Sequence, residues 1–164
     1  MPEDRDGEGS VAGMDLTENF LLTRSTGWLL DLDEAECDAY EAMANFDIAA
    51  PGPWATAGAL SGGNLQKLIL ARELSRQPEV LIAEQPTQGL DVRATEEVWN
   101  ALLAMRQRAG VLLVTGDLKE AFSLADRIAV IFRGRIMDVL ETSDPETMGR
   151  VGLLMAGVEE GETA

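Results

Sequence analysis

A Ser-Gly-Gly turn opening a helical repeat, then a short apolar run ending in an acid, then a second turn: this succession constrains the fold more than any other feature. The first turn is Leu60-Ser61-Gly62-Gly63-Asn64, and the second element, Glu84-Gln85-Pro86-Thr87-Gln88-Gly89-Leu90-Asp91, begins twenty positions after Asn64. Leu65, Leu68, Ile69 and Leu74 recur at helical spacing, which predicts an amphipathic helix over residues 64–76 with Ser61 near its N-cap. Free amides and the dipole at such a helix start attract negatively charged oxygens, and Gly62 and Gly63 let a ligand come close to the backbone. A phosphate suits that chemistry. By itself, however, Ser-Gly-Gly is also what an ordinary helix cap looks like.

The second element changes that balance. Val80-Leu81-Ile82-Ala83 is an apolar run bounded by turn formers, which predicts a fully buried strand of a parallel sheet. Ligands bind at the carboxyl ends of such strands, so Glu84 and Gln85 are expected at the mouth of a site. Pro86 and Gly89 then turn the chain, and Asp91 can cap the next helix.

These residues resemble the ATP-binding subunits of ABC transporters. Leu60 to Asn64 is similar to that family's signature motif, the run from Val80 to Gln85 to its Walker B strand, and Gly89-Leu90-Asp91 to its D-loop. Ser-Gly-Gly-Asn, the Ala-Arg-Glu-Leu-Ser at 71–75 and Gln-Pro-Thr-x-Gly-Leu-Asp-Val narrow the resemblance to the simple-sugar and nucleoside importers, where two such domains are fused in one polypeptide. The stretch resembles the second of them. Upstream, Pro2-Glu3-Asp4-Arg5 and Gly13-Met14-Asp15-Leu16-Thr17-Glu18-Asn19 resemble the segment just after the glutamine loop, so the chain is expected to begin mid-domain.

The resemblance implies ATP and Mg as cofactors, another ABC nucleotide-binding domain and transmembrane permease subunits as partners, and a cytoplasmic place against the membrane reached through those partners. It implies Ser61, Gly62, Gly63, Asn64 and Asp91 as nucleotide contacts. Departures gather where hydrolysis would occur. Glu84 stands at the position of the metal-holding aspartate, and Gln85 stands at the position of the general base, where an amide accepts no proton at neutral pH. Gly116 stands at the position of the switch histidine, in a chain with no histidine at all. No Gly-x-x-x-x-Gly-Lys-Ser/Thr phosphate loop occurs in these 164 residues. In the family's head-to-tail dimer, the signature of one domain closes over ATP on the other's phosphate loop. The resemblance therefore implies a degenerate half that serves a partner's nucleotide and is inactive alone. Two alternatives remain: a non-catalytic remnant that binds and modulates full ATPase domains, and a soluble role of the ABC fold outside transport.

Organisation follows the chain's punctuation. The expected fold class is α/β, an incomplete P-loop ABC ATPase domain whose helical subdomain precedes a parallel-sheet core lacking the phosphate-loop strand. Residues 1–59 are expected to form the helical-subdomain segment, with helices over 16–22 and 33–45 before the Pro51-Gly52-Pro53 break. Residues 60–140 are expected to carry the signature helix and the α/β core. Its later elements are a helix over 94–109 ended by Gly110, a strand at 111–114, a short helix over 118–125, and apolar runs at 127–132 and 135–140 split by Arg133-Gly134. Residues 141–164 are expected to hold a helix over 146–155 and a tail that frays through Glu159-Glu160-Gly161-Glu162. Parallel sheets are normally covered on both faces, and the resemblance places a strand and the phosphate-loop helix upstream of these residues, so an apolar face is expected to lie open and the isolated chain to be aggregation-prone or marginally stable.

The net charge is −16, with 13 acids against Arg5 and Arg24 in residues 1–50. That balance repels nucleic acid and anionic lipid, and solubility explains it. Apolar runs fall far short of the roughly 20 residues needed to span a bilayer, and the acidic N-terminus is unlike a secretory signal. The lone Cys37, among Asp33, Glu34, Glu36 and Asp38, cannot form an internal disulfide. Trp99 reads as packing, Trp54 has no assigned role, and Asp117 can cap a helix or join a metal shell, capping being the simpler reading.

Overall fold

A computed structural model describes residues 1–23 and 30–158, so the acidic tail expected to fray at 159–162 lies outside the described residues. The chain divides into two compact units, Met1–Val114 and Thr115–Ala164.

In the first unit, a π-helical turn at Arg5–Gly9 is capped by Asp4, whose carboxylate accepts from the amides of Asp6 and Gly7. Helix α1, Leu16–Leu21, starts with a capping box: Asp15 accepts from the Glu18 amide at 2.8 Å, and Glu18 accepts from the Asp15 amide at 2.9 Å. Helix α2 spans Leu32–Asn45 with Asp31 as its cap, and α3, the signature helix, spans Gly62–Ser75. Leu16, Phe20, Ala39, Ala42, Ile48, Ala57, Leu65, Leu68, Ile69 and Ala71 form one core among these helices. Each of the larger ones contributes about 1.5–3 kcal/mol through burial.

Helix α3 is less amphipathic than its leucine spacing predicts. Every residue from 65 to 72 is buried, including Gln66, Lys67 and Arg72. The polar positions face inward because each finds a partner there: Arg72 donates to the carbonyls of Gly9 at 2.8 Å and Asn19 at 3.4 Å, and Lys67 donates to the Asp47 carbonyl at 3.1 Å.

Strand β1, Val80–Glu84, pairs in parallel with β2, Gly110–Val114, through the crossover helix α4, Val92–Met105. Helix α4 stops four residues before the expected 109, and Gly110 opens β2 rather than closing the helix. The expectation of a fully buried strand is corrected here. Leu81 and Ala83 are buried, but Val80 is 64% exposed and its neighbour Ile82 54%. On the same face, Ile82 stands opposite Leu112 and Glu84 opposite Val114, and both partners are exposed. Among the described residues this sheet has two strands, and helices cover one of its faces only. The other edge of β1 meets the backbone of Met1, whose amine donates to the Ile82 carbonyl at 2.8 Å and whose carbonyl accepts from the Glu84 amide at 3.1 Å.

The second unit holds α5 at Leu118–Leu124, β3 at Arg127–Phe132, β4 at Arg135–Glu141 and α6 at Thr147–Met155. β3 and β4 pair antiparallel, apart from the parallel sheet, through a two-residue turn in which Arg133 and Gly134 have φ of 46° and 78°. Two positive φ values in sequence match the twist of a tight hairpin. Val130, Leu140, Val151 and Leu154 form its core.

Candidate functional site

The expected site residues of the first unit sit on two turns at the starts of α3 and α4. Ser61 is the N-cap of α3: its Oγ accepts from the Asn64 amide at 3.4 Å and from Asn64 Nδ2 at 2.9 Å. The Asn64 carboxamide oxygen in turn accepts from the Ala49 amide at 3.0 Å, so its side chain ties the turn to the loop after α2. Among the described residues the amides of Gly62 and Gly63 have no acceptor. With Ser61 and Gly62 exposed, they form an open helix start that fits the oxygens of a phosphate.

The two glycines serve different ends. A methyl group at Gly63 would lie 3.3 Å from Ala94 Cβ, so this glycine lets α3 and α4 approach each other. At Gly62 the same methyl would lie 3.7 Å from the guanidinium carbon of Arg5, on the open side of the turn.

After β1 the chain bends at once. Gln85 has φ of 42°, in the left-handed region that disfavours side chains, and its amide extends the parallel pairing by donating to the Val114 carbonyl at 2.8 Å. Gln88 donates back to the Gln85 carbonyl and Leu90 to the Thr87 carbonyl, each at 3.1 Å. Asp91 then caps α4, accepting from the Ala94 amide at 2.8 Å. Glu84 is exposed at the end of β1. Among the described residues no group of three His, Cys, Asp or Glu side chains gathers to hold a metal.

In the second unit, Gly116 precedes Asp117, which caps α5 by accepting from the amides of Lys119 at 2.8 Å and Glu120 at 3.3 Å. Trp99 is half-buried, and Trp54 is exposed with its ring edge-on to Tyr40 at 6.3 Å between centroids.

Sequence reading missed the side chains that brace these turns. Gln66 Nε2 donates to the Pro86 carbonyl at 2.6 Å, and Arg5 Nη1 donates to the Gln88 carbonyl at 2.9 Å. Lys67 pairs with Glu97 of α4, and Arg93 pairs with both Glu97 at 3.0 Å and Asp47 at 3.1 Å. The hydrogen bond from Lys67, with help from Arg93, holds the Glu97 carboxyl below its ordinary range despite partial burial. This network borders a cleft of about 570 Å³ between the end of α2, α3 and α4, whose lining includes neither Ser61 nor Glu84. Polar residues at 66, 67 and 72 inside an otherwise apolar helix were the available signal for this bracing.

No family model matches the chain. The nucleoside import ATP-binding protein NupA of Lactococcus lactis is 39% identical over 96% of this chain, and the guanosine import ATP-binding protein NupO of Bacillus subtilis is 40% identical over 99% of it. A ribose import ATP-binding protein, RbsA of Halalkalibacterium halodurans, is 33% identical over 87%. The chain spans about a third of the length of these curated relatives. Among solved structures, the dimeric post-hydrolysis state of the ATP-binding cassette MJ0796, bound to ADP and Pi, superposes with a TM-score of 0.68. It shares 21% identity, and the match covers 82% of this chain and 60% of that one, a likeness of fold. By sequence the chain is a relative of the ATP-binding proteins of nucleoside and sugar importers, matching about a third of their length, and its fold is like that of part of an ATP-binding cassette.

Proposed function

We propose that this chain works as the signature-bearing part of a second nucleotide-binding domain in an importer of sugars or nucleosides. Ser61, Gly62, Gly63 and Asn64 close over ATP held on the phosphate loop of another ABC domain, Asp91 shapes the facing turn, and Mg travels mainly with the partner's nucleotide. Residues 1–59 serve as helical-subdomain segment, 60–140 as signature helix and degenerate core, and 141–164 as C-terminal helix and tail. Permease subunits hold the assembly at the inner face of the membrane; no helix among the described residues is long and apolar enough to cross one.

The observation that carries this reading is the contrast between the two turns. Ser61 and Gly62 are exposed at a helix start where, among the described residues, the amides of Gly62 and Gly63 have no acceptor, while the neighbouring strand end offers Glu84 and the amide Gln85 where a metal ligand and a base would stand. A signature turn needs only hydrogen-bond donors and a small hydroxyl, so it keeps its use after the local base is gone.

The test is turnover by this chain combined with a cassette that carries a phosphate loop. Ser61→Arg is expected to abolish it by filling the phosphate's place, and unchanged turnover would refute the reading. ATP hydrolysis by the chain alone would refute it too. Loss of the base at Gln85 also favours a second reading, a non-catalytic protein that binds full ATPase domains. That reading predicts altered rates in the partner without sensitivity to Ser61→Arg.

A further inference from the structure

The turn between β1 and α4 is fastened to the signature helix by two side chains that lie outside all three motifs. Gln66, 2% exposed on α3, donates to the Pro86 carbonyl, and Arg5, from the N-terminal π-helical turn, donates to the Gln88 carbonyl. The guanidinium of Arg5 also lies beside both glycine turns. A methyl group at Gly62 would be 3.7 Å from its Cζ, and one at Gly89, where φ is 68°, would be 3.2 Å from its Nη2. Among the described residues Arg5 makes no ion pair, in a chain of net charge −16, so no carboxylate draws it away from this place.

We propose that Arg5 and Gln66 are positioning residues that lock the 86–91 turn in register with the Ser61–Asn64 turn, so that both meet a partner's nucleotide as one surface. Two carbonyls of a single turn, separated by one residue, are anchored on two different elements. Added to the turn's own hydrogen bonds, the two anchors tie it to both the signature helix and the Arg5 segment. Gln66 is bound to this task by burial, because its amide would otherwise stand unpaired in the interior. Arg5 suits the other anchor because a flat, delocalised guanidinium lies against backbone that lacks Cβ atoms, which an ammonium does not do. The Arg5 segment is itself held to α3, since Arg72 donates to the Gly9 carbonyl at 2.8 Å. The consequence for turnover rests on the trans-acting reading above; the fastening itself does not.

Backbone amide exchange in the full chain tests the fastening. The amides of Gln88 and Leu90, bonded to Gln85 and Thr87 at 3.1 Å, report on the turn, and the Asn19 amide, bonded to Asp15 at 3.0 Å, is the control. Arg5→Ala is expected to speed exchange at Gln88 and Leu90 about tenfold, as loss of one charged hydrogen bond implies, and to leave Asn19 unchanged. Arg5→Lys should recover less than half of that protection. Gln66→Met, similar in shape but without the donor, should act on the same two amides. Unchanged exchange at both amides in Arg5→Ala and Gln66→Met overturns the proposal.

With a phosphate-loop cassette present, Arg5→Ala is expected to lower kcat about tenfold with KM for ATP within twofold, the split that misplacement of a bound group produces. If Ser61→Arg leaves turnover intact while the exchange result holds, the trans-acting reading fails and the fastening survives. If Ser61→Arg abolishes turnover and Arg5→Ala changes neither rate nor exchange, the fastening fails alone.

Discussion

Replacing Glu97 by Gln tests the idea that the signature helix is held by satisfied polar groups as well as by leucines. The ammonium of Lys67, on a side chain 9% exposed, has two partners, the Glu97 carboxylate and the Asp47 carbonyl. An amide in place of the Glu97 carboxylate would keep the shape and remove the charge, leaving a nearly buried cation with neutral acceptors alone. A hydrogen bond to a charged group contributes about 1.5–3 kcal/mol. Glu97 is 31% exposed and Lys67 keeps the carbonyl, so screening brings the expected loss to about 1–2 kcal/mol. Arg93 adds little to that figure, because its side chain is 79% exposed. A loss of that size lowers Tm by about 2–8 °C for a domain of this length.

The assay is urea denaturation of the wild type and Glu97→Gln across pH, with Lys67→Met closing a double-mutant cycle. Lys67 and Arg93 depress the folded pKa of Glu97 below its unfolded value of 4.5. The carboxylate's contribution is therefore fully present above about pH 4.5 and fades as pH falls through the folded value. The gap between wild type and variant should be constant from pH 7 to 5 and shrink below. A gap that persists unchanged at low pH, or an Arg93→Ala variant that costs as much as Glu97→Gln at pH 7, would refute the reasoning.

Gly63→Val should destabilise by about 1–3 kcal/mol in thermal melts, because its side chain would be driven into Ala94, whereas Gly62→Ala should be neutral or slightly stabilising at an open helix position. Ile82→Thr combined with Leu112→Thr should reduce self-association in sedimentation with little change in Tm, since both side chains lie exposed on the uncovered sheet face. Asp15→Ala removes one side of the capping box and should cost about 1 kcal/mol by denaturation.

The helix starts were legible in the sequence because caps are local. Ser61, Asp91 and Asp117 each accept from amides two or three positions ahead, a relation that spacing alone reveals. Strand β1 was legible as a strand but not in its surroundings, because a run such as Val-Leu-Ile-Ala does not say which face another element will cover. Helix α3 was misjudged as amphipathic for a related reason. Whether Gln66, Lys67 and Arg72 face water or a carbonyl depends on Pro86, Asp47 and Gly9, which lie 20, 20 and 63 residues away. The same distance hid Arg5, whose partner is 83 residues on. The chemistry of the signature turn could be read in five consecutive residues, but its bracing depended on contacts between elements far apart in the chain.

The hairpin turn at Arg133-Gly134 sets an order on how the chain acquires structure. Its strands meet across two residues, so pairing needs almost no loop closure and proceeds on the scale of about 1–10 μs. In the first unit, Arg5 must find Gln88 and Arg72 must find Gly9 across most of the unit's length, and the parallel strands must wait for α4 between them. The C-terminal hairpin should therefore be the early, fast phase of refolding and the two turns of the site among the last parts to settle.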